Sequence, residues 1–205
     1  MIEPLSALFE SDAPLFFLLA GPNGAGKSTF RAKYLTPHNL TCIDPDEVAR
    51  QRFGRDPKNK KEARAATIEA SRRVKAQFQS QTSFGLETVF SDTKGLKLDL
   101  LRKAREEGYR TAVFFVGVDS PYLSIARVQD RLEQGGHDVP DALIIDRFPR
   151  SFENLKRAIP LCDFVLLVDN SGESRHRIFG VIKPDESIHL WDSVPRWYED
   201  FKVGK

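Results

Sequence analysis

An apolar run, Leu15-Phe-Phe-Leu-Leu-Ala20, passes directly into Gly21-Pro22-Asn23-Gly24-Ala25-Gly26-Lys27-Ser28, and this junction constrains the chain more than any other feature. Apolar residues without alternation describe a strand buried on both faces. Gly-x-x-x-x-Gly-Lys-Ser after such a strand is the pattern of a loop whose backbone N–H groups surround phosphate. Side chains would obstruct that approach, and Gly21, Gly24 and Gly26 carry none. Lys27 then reaches the outer phosphates, the Ser28 hydroxyl can ligate magnesium, and the start of the next helix adds partial positive charge. The expected ligands are ATP and Mg2+.

Downstream, strand and helix patterns alternate. Thr41 to Ile43 reads as a short strand, and Asp44-Pro-Asp-Glu47 opens a helix. Residues 58–79 read as a long helix, 84–90 as a third strand, and 96–107 as a helix closed by Gly108. Strands follow at 111–118, 163–169 and 177–182, with helices at 120–134 and from Pro140 to Ala158. Such alternation predicts an α/β protein of P-loop NTPase fold, its parallel sheet covered by helices on both faces. No linker or repeat divides residues 1–205, so one domain is expected. The tail over 183–205, with Trp191 and Trp197, should pack back on it.

A formal charge of +2, from 31 basic and 29 acidic side chains, gives no sign of nucleic-acid binding. No apolar run approaches the roughly 20 residues of a membrane span. No secretory signal is visible, and the two isolated cysteines, Cys42 and Cys162, read as buried thiols. The expected setting is the cytoplasm.

The helix opened by Asp44 holds one carboxylate more than capping needs. Asp44 can cap, Pro45 suits the first helical position, and Glu47 can fold back to complete a capping box. Asp46 is left over. Because C-terminal strand ends share one edge in a parallel sheet, Asp46 should lie near the phosphate loop, where it can take the proton of an attacking hydroxyl. Glu87 and Thr88, closing an apolar strand, should sit on the same edge as substrate contacts. Phe164-Val-Leu-Leu-Val-Asp169 looks superficially like a strand ending in a magnesium-binding Asp. Asn170-Ser-Gly172 follows it instead of Glu, so it reads as a core strand whose loop lies near the nucleotide base.

Arg127 and Arg131 share a helix face, and Arg147 and Arg150 are three apart on the next helix. The intervening Gly135-Gly136-His137 lets residues 127–150 act as a helical lid. Guanidinium groups there would stabilise charge on a transferring phosphoryl group. Arg127 stands first among them, with Arg147 and Arg131 in reserve.

Taken in order, these stretches resemble the zeta-toxin family of P-loop kinases. The likeness runs through Gly21-Pro-Asn-Gly-Ala-Gly-Lys-Ser-Thr29, Ile43-Asp-Pro-Asp-Glu47, Glu87-Thr88, Arg127-Val-Gln-Asp-Arg131, Gly135-Gly-His-Asp-Val-Pro140 and Arg147-Phe-Pro-Arg-Ser-Phe-Glu-Asn-Leu155. It implies a kinase of nucleotide-activated amino sugars, notably UDP-N-acetylglucosamine, and a cognate antitoxin that can block the ATP site. It places Thr29 with the nucleotide-binding loop, the catalytic base on Asp46 and a substrate carboxylate on Glu87. A second substrate-side carboxylate falls on Glu69, and the helical arginine on Arg127. Toxins of the family carry an arginine where this chain has Gly-Gly-His, and Arg131, Arg147 and Arg150 are the candidates to replace it. Kinases of another metabolite or antibiotic share the scaffold. A nucleotide-binding switch shares it too, but needs neither the spare Asp46 nor the arginines.

Overall fold

All six residues of β1 (Leu15–Ala20) are buried, which requires strand neighbours on both edges and cover on both faces. In the computed structural model, which describes residues 11–133, 136, 138–172, 176–183, 185, 187–201 and 203, those neighbours are β3 (Phe84–Thr88) and β4 (Arg110–Gly117). With β2 (Thr41–Ile43), β5 (Phe164–Asp169), β6 (Arg177–Ile182) and β7 (Ile188–Leu190) they form one sheet of order β2-β3-β1-β4-β5-β6-β7. The first five strands are parallel, as the alternation of elements predicts. β6 alone runs against the others, antiparallel to both β5 and β7, so the sheet is mostly and not wholly parallel. The connection from β5 to β6, residues 170–176, is too short for a crossover helix, and a direct return must be antiparallel.

The helices are α1 (Lys27–Phe30), α2 (Pro45–Phe53), α3 (Lys60–Ser80), α4 (Leu96–Glu106), α5 (Pro121–Glu133), α6 (Asp141–Ala158) and α7 (Arg196–Asp200). α1 continues through a wider π-turn, Arg31–Leu35, and a 3-10 turn, Thr36–His38. Successive strand residues face opposite ways, and the aromatic contacts show it. Phe17 meets Phe114, which also meets Phe30 of α1, on one face. Phe16 meets Phe78 of α3 on the other, where Phe115 meets Phe152 of α6. The tail packs back on this second face: Trp197 is fully buried, against Phe115 and Phe152. Trp191 stays exposed.

Register brings the chemistry to one edge. Leu19 lies opposite Glu87, Ala20 opposite both Thr88 and Phe115, and Gly117 opposite Asp169. The phosphate loop, the Asp44 corner, the end of β3 and the loop after β5 therefore converge where parallel strands finish.

Candidate functional site

Gly21, Gly24 and Gly26 all have positive φ, the left-handed region that side chains disfavour. The bend they allow turns the loop around Lys27, whose Nζ donates to Gly21 O at 3.0 Å and Pro22 O at 2.8 Å. Burial pushes the Lys27 pKa down, opposed by the charges of Glu87, Asp44 and Asp46, while Arg131 pushes the same way as burial. Pro22 and Ala25 are buried, Asn23 is half-buried, and Ser28 and Thr29 are exposed.

The Ser28 hydroxyl donates to Glu87 Oε1 at 2.9 Å. Burial raises the Glu87 pKa, with Lys27 the main opposing charge. Its other oxygen, Oε2, is buried without a hydrogen-bond partner and lies 3.6 Å from Arg31 Nη1. A hydroxyl beside an orphaned carboxylate oxygen is donor chemistry that suits Mg2+. Ser28 and Glu87 thus fit a hard cation.

At the next corner Asp44 is the N-cap of α2: its Oδ1 accepts from Asp46 N at 2.9 Å. The Asp46 side chain is exposed beside it, uninvolved in the cap. Glu47 does not fold back to close a capping box. Its carboxylate instead pairs with Arg31 at 3.0 Å, a charged donor that outcompetes a peptide N–H. Arg31 also approaches Asp44 at 3.9 Å, so one guanidinium faces Asp44, Glu47 and Glu87. Sequence reasoning missed it, although a signal existed. Arg31 follows Lys27 by four on the loop's own helix and so projects toward the same edge.

Other expected residues are distributed differently. Thr88 Oγ1 accepts from Phe90 N at 3.0 Å, supporting a bend in which buried Phe90 has φ +62. Glu69 pairs with Arg72 and Arg73 on its own helix. Asp169 is fully used in structure, accepting from Trp197 Nε1, Ser171 and Arg177.

The arginines separate into distinct roles. Arg127 donates to Asn170 O at 2.6 Å and Gly172 O at 3.1 Å. Arg131 is exposed, and its charge is felt at Lys27. Arg147 is half-exposed. Arg150 is bound bidentately to Asp146 and also donates to Ser91 O at 3.1 Å. α6, moreover, buries Ile144, Phe148 and Phe152, so the later part of the expected lid belongs to the core. Gly135 and His137 lie outside the described residues.

Beside the acidic corner a cavity of about 220 Å3 runs between α3 and α4 over Leu86, with Pro45 among the residues that line it. Thr67 and Ser71 give it hydroxyls, and Lys75 and Lys97 give it cations. Among the described residues, no hydrogen bond or ion pair within the hydrogen-bonding limits engages either ammonium; burial lowers the Lys97 pKa, partly offset by Asp92.

The family model for the zeta toxin matches residues 5–179. An uncharacterised Haemophilus influenzae protein is 26% identical over 132 residues, covering 62% of this chain and 88% of that protein. Among solved structures, the AvrRxo1-ORF1:AvrRxo1-ORF2 complex with sulphate ions superposes at TM-score 0.69 and 15% identity, covering 99% of this chain and 67% of its own. The same complex with ATP gives 0.67 and 15%, over 98% and 66%. The PezAT chromosomal toxin-antitoxin system of Streptococcus pneumoniae gives 0.60 and 15%, over 98% and 90%. At such identities these structures share the fold. Among the described residues no helix is long and apolar enough to cross a membrane.

Proposed function

The chain belongs to the zeta toxin family, and we propose that it transfers the γ-phosphate of ATP to a hydroxyl of a nucleotide-activated amino sugar such as UDP-N-acetylglucosamine. The observation that carries this reading is the bond from Ser28 of the phosphate loop to Glu87 at 2.9 Å, with Asp46 left outside the Asp44 cap at the neighbouring strand end. ATP enters by way of the loop and of the AvrRxo1 complex solved with ATP.

Lys27 leaves its two loop carbonyls for the outer phosphates, and the loop amides take the remaining oxygens. Ser28, with Glu87 adjacent, would hold Mg2+, which would supply neutralising charge to the transfer. Asp46, free of the capping bond that occupies Asp44, accepts the acceptor's hydroxyl proton. Arg131 supplies guanidinium charge to the transferring group, with Arg147 in reserve, while Arg127 holds the loop after β5 through Asn170 O and Gly172 O. Glu87, Thr88 and Glu69 form the acceptor side. The lysine-bearing cavity supports an anionic acceptor, since Lys75 and Lys97, without a hydrogen-bond or ion-pair partner among the described residues, line it together with Pro45 of the acidic corner and suit a phosphate group. At about 220 Å3 it holds one end of such a molecule and not the whole. A cognate antitoxin covering the ATP site is the partner proposed, by likeness to PezAT.

Incubating the protein with γ-labelled ATP and a metabolite extract tests this. Label should pass to a nucleotide sugar, identified by mass spectrometry, and not pass with Lys27→Ala. Label on another metabolite or an antibiotic keeps the kinase and changes the acceptor. No labelled product from wild-type protein sinks the reading.

A further inference from the structure

The outward side of the phosphate loop meets two side-chain donors from much later in the chain. Asn170 Nδ2 donates to Ala25 O at 2.9 Å, and His176 Nε2 lies 3.0 Å from Gly26 O. A carbonyl only accepts, so the ring carries its proton on Nε2. Burial lowers the His176 pKa, the Gly26 bond opposes this, and Lys33 and Arg127 reinforce it. Gly26 has φ +89, and a Cβ there would fall 2.5 Å from Asn170 Nδ2 and 3.0 Å from His176 Nε2. Glycine admits both donors where an L side chain would collide with them.

Peptide geometry converts this grip into aim. In a trans peptide the carbonyl of one residue and the N–H of the next point in opposite directions. Drawing Ala25 O and Gly26 O outward turns the N–H groups of Gly26 and Lys27 inward, toward the phosphates. Gly26 O also accepts from Phe30 N at 2.9 Å, so helix and ring fix the same peptide. The gripping segment is itself fixed. Asn170 N donates to Gly117 O at 2.9 Å, and Arg127 bridges Asn170 O and Gly172 O.

We propose that Asn170 and His176, braced by Arg127, are positioning residues that hold the Gly26 and Lys27 amides aimed at the phosphates before the nucleotide arrives. The proposal rests on the loop being the ATP site. Amides oriented in advance need no reorganisation on binding, and that difference appears as affinity.

Calorimetric titration with ATP and with ADP, alongside steady-state kinetics, tests it on His176→Leu, His176→Gln, Asn170→Ala and Arg127→Ala. The aimed amides serve phosphates present in both nucleotides. His176→Leu and Asn170→Ala should therefore each weaken ATP and ADP alike, by about tenfold, or ~1.4 kcal/mol. His176→Gln, whose amide nitrogen can donate at similar reach, should restore most of the loss. A ring that merely packs against Phe30 and Tyr34 predicts no such rescue. Arg127→Ala should weaken ADP as well as ATP. Unchanged ADP affinity in folded His176→Leu and Asn170→Ala overturns the proposal, and equal losses in His176→Leu and His176→Gln overturn it for the histidine. Intact ADP affinity with lowered kcat in Arg127→Ala removes Arg127 from the brace and places it on the γ-phosphate. Wild-type protein that binds neither nucleotide sinks the kinase reading itself. Wild-type binding with unaffected variants sinks the clasp alone.

Discussion

Lys27 is buried with its ammonium on two carbonyls of its own loop, and burial lowers its pKa despite nearby carboxylates. A charge kept under such desolvation serves position more than stability. Lys27→Ala should therefore leave a folded protein while lowering phosphoryl transfer by at least about 100-fold, or ~2.7 kcal/mol of barrier. Wild-type turnover in that folded variant would end the kinase assignment. The two acidic residues flanking Pro45 should separate in the opposite sense. Asp46→Asn should lose transfer with the ATP Kd within about twofold, because its carboxylate makes no cap and is the base of the proposed reaction. Asp44→Ala should cost about 1 kcal/mol of stability through the lost N-cap bond. Kinetics and thermal unfolding run on both variants decide between them; reversed roles would move the base to Asp44.

The strands and helices were legible because each carries its own punctuation. β1 shows an unbroken apolar run, the α3 stretch is rich in Ala, Lys, Arg and Glu, and α4 is followed by Gly108 at φ +83. What could not be read were contacts made by side chains far apart in sequence. The short edge strand β7, with one half-buried and two exposed residues, lacks the apolar signal by which strands are found. Asn170 and His176 look like loop residues until the fold brings them to Gly26. The arginines looked equivalent in sequence, and their elements separate them. Arg150 joins α6 to the loop after β3 through Ser91 O, whereas the charge of Arg131, at an exposed position of α5, is felt at Lys27. Arg131→Ala should lower kcat about 100-fold with KM for ATP nearly unchanged, the pattern of a contact made in the transition state. Arg150→Ala should lower the melting temperature and leave kcat near normal. If Arg131→Ala keeps its kcat while Arg147→Ala loses it, the transferring group is served from α6 and not from α5.

At the scale of the molecule, the tail decides whether the chain unfolds as one unit. Trp197 reaches across the second face of the sheet, where a Cβ on Gly117 would lie 2.4 Å from its ring, so β4 keeps a glycine at the point where the indole crosses. Phe201 stacks on Phe152 of α6 at 4.1 Å, and Trp197 N donates to Asp119. The indole N–H donates to Asp169 Oδ1 at 3.0 Å, which ties the tail to the end of β5, one residue before Asn170. We propose that the tail is part of a single domain, and stability measurements test it. Trp197→Ala should cost about 3–5 kcal/mol, the range for removing a large buried aromatic. Trp197→Phe, which keeps most of the packing but leaves Asp169 short of a donor, should cost about 1–3 kcal/mol. Trp191→Ala, at an exposed site, should stay within about 0.5 kcal/mol. In urea, wild type and all three variants should unfold in one transition with a common slope, the midpoint alone moving. A variant that loses tail structure at low urea while the sheet unfolds at the wild-type midpoint would show two units and overturn the single-domain reading. Because Asp169 precedes Asn170, Trp197→Phe should also weaken ADP binding if the tail holds the loop that grips the phosphate site. An unchanged ADP affinity would confine the tail to stability.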